Sequence, residues 1–268
     1  MNSPIAFVLA SVVITTMRSG CGGKEIGFER PQHADPMNGV TSINAVCKVG
    51  QQGGDGTLIA PQWVLTAAHV ADGMYQRTEG ALNVYFDDGT IRAVDKVYRH
   101  PQFTPMGRYD IALLQLKESV PHVAPIACYT GNDELGRMII LAGHGDRRNP
   151  DGTWLRDGKL RTYTNVVDAV DDTHLLFDYD APGPDATDRE GTSGPGDSGG
   201  PSFVETDGGL RVAGISSMGE PGSDGPCTYG AVEHFVRVSQ FNTWLHAVMH
   251  EPLAHPFLEY APAAPGPI

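Results

Sequence analysis

Cysteine is scarce in this chain, with 4 in 268 residues. That is too few for a dense disulfide framework, and a chain of this length can bury a substantial core without one. Long helical periodicity is missing from the middle of the sequence. Blocks of Lys or Arg are missing too, and the formal net charge is −13. Nucleic acid is therefore not an expected partner, because phosphate contacts need clustered cations. The acidity favours solubility and attraction of cationic substrates, but it fixes no chemistry. No apolar run approaches the ~20 residues that cross a bilayer as a helix. Among 10 histidines there is no His-Glu-x-x-His, and no paired Cys-x-x-Cys occurs, so neither a metal nor another cofactor is expected.

What is abundant is punctuation: Gly 33 and Pro 20. Short apolar runs bounded by Gly, Pro, Asn and Asp read as strands. One set covers 43–49, 57–59, 63–66, 82–86, 91–99 and 111–116. A second covers 138–142, 160–170, 175–178, 201–204, 210–217 and 229–238, with 120–133 as the linker. Two similar sets of short strands predict two packed β-barrels or sandwiches. In 240–250, Phe241, Trp244, Leu245 and Val248 recur at helical spacing and predict one C-terminal helix. At the other end, the apolar stretch 5–17 is too short for a span and reads as the core of a signal peptide over 1–20. Cys21 then opens a second option, a lipid anchor, against which Arg18 three positions earlier argues. Residues 21–39 read as a propeptide or N-terminal arm, and 251–268 as a Pro-rich tail.

Three segments carry chemistry. In Gly196-Asp197-Ser198-Gly199-Gly200-Pro201, glycines flank a serine and permit a tight backbone path. A serine hydroxyl needs a base to remove its proton and N–H donors to stabilise the oxyanion that its attack creates. In Trp63-Val64-Leu65-Thr66-Ala67-Ala68-His69, an apolar run delivers a histidine after small residues, and an imidazole titrating near neutrality suits a general base. In Tyr109-Asp110-Ile111-Ala112-Leu113-Leu114, an aspartate opens an apolar strand at the edge of a core. Taken singly, each has a bland reading: a Gly-rich turn, a surface histidine, a turn aspartate.

Together, in the order His, Asp, Ser, the three segments resemble the chymotrypsin/trypsin family, from about residue 43 to 249. Gly56-Thr57-Leu58-Ile59-Ala60-Pro61 and Val97-Tyr98-Arg99-His100-Pro101 fit the same pattern. The resemblance implies an all-β fold of two six-stranded antiparallel barrels, about 40–130 and 131–238, with the site between them and a C-terminal helix at 240–250. It implies a secreted or periplasmic, monomeric serine endopeptidase acting on protein or peptide substrates through an acyl-enzyme. Ser198 would be the nucleophile, His69 the base and Asp110 its orienter. The N–H groups of Gly196 and Ser198 would form the oxyanion hole. Thr192 would lie at the base of the specificity pocket, with Ser217, Met218 and Gly219 along its entrance. Glu233, in the far pocket wall, is expected at the surface rather than as a pocket carboxylate.

The departures from the family pattern concern stapling and activation. Val70 and Gly54 stand where one bridge is common, Ile139 and Val204 where another is, and Gly194 where Cys227 expects a partner. Cys128 matches a position that often bridges to an N-terminal segment, so Cys21 and Cys47 are its candidate partners. No Ile-Val-Gly-Gly occurs to supply the new terminus that pairs with the aspartate before the nucleophile, here Asp197; Ile26-Gly27 is the nearest substitute. His144, at a position usually Trp, is expected to line a loop. Two other readings remain: a secreted non-catalytic binding protein on the same fold, and a serine esterase. All three triad residues with their flanks argue against the first, and a histidine ahead of the serine argues against the second.

Overall fold

The continuous apolar run Met138-Ile139-Ile140-Leu141-Ala142 shows how this sequence builds its core. Side chains alternate faces along a strand, and here both faces are covered. Ile139 and Leu141 enter one buried cluster with Phe177, Val204 and Phe235. Ile140 and Ala142 enter another with Phe203, Val212 and the apolar residues of the first half. A strand buried on both sides has no polar face, so the run is unbroken.

The structure is a computed structural model that describes residues 43–250 apart from 80, 106 and 150. The expected signal peptide, arm and tail, with Cys21 and Ile26, lie outside the described residues. The first half contains β1 (Val46–Val49), β2 (Gly54–Ala60), β3 (Trp63–Thr66), helix α1 (Ala68–Arg77), β4 (Asn83–Phe86), β5 (Ile91–Arg99) and β6 (Ala112–Leu116). Its strands close into a six-stranded antiparallel barrel in the order β1-β2-β3-β6-β5-β4. Then follow β7 (Met138–Gly143), β8 (Arg147–Arg148), β9 (Trp154–Leu155), β10 (Arg161–Val166), β11 (Ala169–Val170) and β12 (His174–Asp178). The last strands are β13 (Pro201–Thr206), β14 (Gly209–Glu220) and β15 (Val232–Arg237). Seven of these nine form one sheet, β10-β7-β13-β14-β15-β12-β11, while β8 and β9 pair as a separate hairpin. The run 160–170 breaks into two strands because Val167 leaves the ladder for the core, at 1% exposure. A 3₁₀ turn (Val238–Phe241) leads into α2 (Asn242–His250), whose Trp244, Leu245 and Val248 are buried. The expected all-β class with a C-terminal helix therefore holds. No described helix is long and apolar enough to cross a membrane.

Stapling is replaced by packing. Cys47, Cys128 and Cys227 are all free, so of the two candidate partners of Cys128, Cys47 is not bonded to it, and Cys21 lies outside the described residues. Ile139 and Val204, fully buried, lie in one cluster. A Cβ on Gly54 would meet Val70 Cγ2 at 2.9 Å, so the missing side chain of one makes room for the other. Cys227 instead donates its Sγ–H to Ser193 O at 3.1 Å. With packing as the support, Phe203→Ala at the seam of the halves should cost about 3–5 kcal/mol. Calorimetry should show this as a fall in Tm of about 10 °C; an unchanged Tm would contradict the packing account.

Candidate active site

Three elements converge where the halves meet. Strand β3 ends at Thr66 and α1 begins two residues later, so His69 sits in the first helical turn. That helix was not legible in the segment around the histidine. Its buried residues Ala68, Val70, Ala71 and Met74 lie on one face. His69 donates its backbone N–H to Asp110 Oδ1 at 2.8 Å, and its Nδ1 lies 2.6 Å from Asp110 Oδ2. Ser217 Oγ donates to the same Oδ2 at 2.6 Å. Ser217 is free to do this because β14 bulges there: Ser216 pairs with Phe235 and Met218 with His234. Burial pushes the Asp110 carboxyl up, but the hydrogen bonds and charge of His69 and the Ser217 hydroxyl outweigh it and hold Asp110 below the usual carboxylate range. The Asp110 side chain is 5% exposed, while the His69 ring is 37% exposed and faces solvent.

Asp110 owes its place to a strained neighbour. Tyr109 has φ 65°, a left-handed conformation unfavourable for a tyrosine. Its ring stacks on His100 at 5.0 Å, and Phe241 meets it edge-on. Aromatic packing from the C-terminal segment thus holds the start of β6.

The serine lies on a turn that glycine alone allows. Gly196 and Gly199 have φ 101° and 82°. A side chain on Gly199 would collide with Thr66 Oγ1 and Asp55 O and would come within 3.1 Å of Ala67 N. The serine turn is therefore pressed against the segment that carries His69. Ser198 O accepts the Asp55 N–H at 2.7 Å, and Gly199 N–H donates to Ser216 O at 2.8 Å. The N–H groups of Asp197, Gly199 and Gly200 all find backbone acceptors, whereas those of Gly196 and Ser198 find none among the described residues. Ser198 Oγ makes no hydrogen bond to His69; the two meet through their segments.

Glu233 is not at the surface. It is 5% exposed, and its carboxylate accepts hydrogen bonds from Thr192 Oγ1 and, at 2.6 Å, from Ser193 Oγ. Across the ladder it pairs with Gly219, where a Cβ would meet Glu233 Oε1 at 3.1 Å. Burial pushes its carboxyl up, against the two hydroxyls. Thr192, Gly219 and Glu233 thus lie together, and Met218 beside them is 37% exposed. The sequence pattern alone does not place Glu233, because the register of β15 decides which face it takes and one residue of slip reverses it.

His144 is also more than loop lining: it is 7% exposed and paired with Asp55. A cavity of about 200 Å³ adjoins the turn, lined by Leu141, Gly145, Tyr163, Thr192 and Asp197 among others. Asp197 turns its carboxylate inward, accepting N–H groups of Gly145 and Gly194 at 2.7 Å each. The described residues contain no group of three or more His, Cys, Asp or Glu arranged to hold a metal ion.

A model of the trypsin family matches residues 27–245. A trypsin from Simulium vittatum is 29% identical over 243 residues, covering 80% of this chain and 90% of its own. Kallikrein-15 from Saguinus oedipus is 27% identical over 268 residues, covering 92% and 97%. A chymase from Canis lupus familiaris is 30% identical over 209 residues, covering 73% and 78%.

Proposed function

The chain belongs to the trypsin family of serine proteases, and from that premise we propose that it is a secreted endopeptidase using Ser198, His69 and Asp110. The observation that carries this reading is the hydrogen-bonded His69–Asp110 pair set against a serine turn with two unspent N–H groups. Ser198 Oγ attacks the scissile carbonyl as His69 takes its proton, giving a tetrahedral oxyanion. The free N–H groups of Gly196 and Ser198 receive that charge. Collapse expels the amine, which takes the proton from His69, and leaves an acyl-enzyme; water attacking by the same route releases the acid. Asp110 keeps the proton of neutral His69 on Nδ1, leaving Nε2 free to act, and stabilises the imidazolium. Export rests on the N-terminal sequence.

Substrate choice follows from Glu233. A carboxylate held by the Thr192 and Ser193 hydroxyls, beside the cavity those two residues line, favours Lys or Arg before the cleaved bond. The net charge of −13 works in the same direction. Digestion of a peptide library tests both halves of the proposal. Cleavage should follow basic residues, and Glu233→Gln should lower kcat/KM for them by about 10²-fold, with apolar sites little affected. Cleavage after apolar residues, indifferent to Glu233→Gln, would remove the specificity reading. No cleavage at all would remove the activity.

A further inference from the structure

Behind the serine turn lies a buried pair that the hydrolysis itself does not use. The side chains of His144 and Asp55 are 3% and 1% exposed. Asp55 comes from β2 and His144 from the residues just after β7, so the pair spans the two halves. Asp55 Oδ2 accepts the backbone N–H of His144 at 2.7 Å, and Asp55 Oδ1 lies 2.8 Å from His144 Nδ1. The other ring nitrogen, Nε2, is 3.1 Å from Asp87 Oδ1. A neutral imidazole donates through one nitrogen only. Two carboxylates facing both nitrogens select the imidazolium.

Both partners reach the nucleophile through backbone. The N–H of Asp55 donates to Ser198 O. The N–H of Gly145, next to His144, donates to Asp197 Oδ1. Because Asp197 and Ser198 are consecutive, these contacts close a ring: Ser198, Asp55, His144, Gly145, Asp197 and back. The Asp55 and Asp197 carboxylates also approach each other across Gly143. A Cβ there would collide with Asp197 Oδ1 and lie 2.9 Å from Asp55 Oδ2. Desolvating an ion pair this deeply is a poor source of stability, but the ring gives the pair a task in fixing geometry.

We propose that Asp55 and His144 are positioning residues for the nucleophile: their ion pair clamps the Asp197–Ser198 turn from behind and supplies the positive charge that lets two neighbouring carboxylates share the site. The inference rests on Ser198 being the nucleophile. The charged groups around His144 include Asp55 from β2, Asp87 from the turn after β4, Asp197 from the serine turn, and Lys48 from β1, a like charge. Burial pulls His144 down, but Asp55 and Asp87 outweigh it and raise it above its ordinary value. Burial and the Asp55 charge push Asp197 up to about 7, while His144 and the two N–H donors pull it down. Losing the His144 charge therefore raises Asp197 further.

The test compares ester hydrolysis by wild type, Asp55→Asn and His144→Gln. Each variant should lose about 10–100-fold in kcat through misplacement of the serine, with KM nearly unchanged. The acid limb of kcat, where His69 and Asp197 must both be unprotonated, should move to higher pH in His144→Gln. A folded variant with wild-type kcat, or an acid limb left in place in His144→Gln, overturns the proposal. Should the variants not fold, ¹⁵N NMR of the wild-type protein at neutral pH decides: both His144 ring nitrogens protonated supports it, and a neutral ring overturns it. A wild type that neither hydrolyses the ester nor takes a serine-directed probe overturns the nucleophile assignment, and with it this role; the NMR readout then reports only the charge on His144.

Discussion

Ser198→Ala is expected to lower kcat by about 10⁶-fold, the scale set by removing the nucleophile from other serine proteases. Alanine removes one oxygen from a turn whose path is set by Gly196, Gly199 and the Asp55–Ser198 hydrogen bond. The backbone should therefore stay in place, and substrate should bind with little change. The Gly196 and Ser198 N–H groups also remain, so a residual rate of about 10³-fold over water is expected. Steady-state kinetics on a chromogenic peptide measures this. Loss of binding along with turnover would mean that the turn had collapsed and that the serine is structural.

Asp110→Asn should cost about 10⁴-fold in kcat, the size established for the triad of this family. Here the reason can be followed atom by atom. Three donors converge on the carboxylate: the His69 N–H on Oδ1, and His69 Nδ1 with Ser217 Oγ on Oδ2. An amide offers only one oxygen. If that oxygen keeps the backbone N–H, the amide N–H₂ faces Nδ1 and drives the ring proton to Nε2. That nitrogen must be unprotonated to accept the proton of Ser198, so the base is disabled while the geometry survives. A pH profile identifies the mechanism, since hydroxide can replace the base and recover part of the rate at high pH. Wild-type kcat in Asp110→Asn would exclude Asp110 as the orienter.

The strand runs and the C-terminal helix were legible because they follow from alternation, turn residues and helical spacing, all local in sequence. The run 138–142 is the clearest case, since burial on both faces leaves a continuous apolar signature. The three chemical segments were legible for a similar reason, each carrying its own flanks. What escaped notice depends on contacts distant in sequence. Glu233 is placed by β15 register and by hydroxyls 40 and 41 residues away. Asp55 and His144 are 89 residues apart and meet only once the halves pack. No periodicity marks such a pair. The free thiols follow the same logic: absence of partner cysteines at Val70, Ile139 and Gly194 pointed to packing, but only the fold shows Gly54 yielding space to Val70.

Covalent labelling decides whether Ser198 is an activated nucleophile. Purified protein is treated with a fluorophosphonate, digested and mapped by mass spectrometry. One adduct is expected, on Ser198, absent from the Ser198→Ala and His69→Ala variants. An adduct on another residue, or none in protein that hydrolyses peptides, would contradict it.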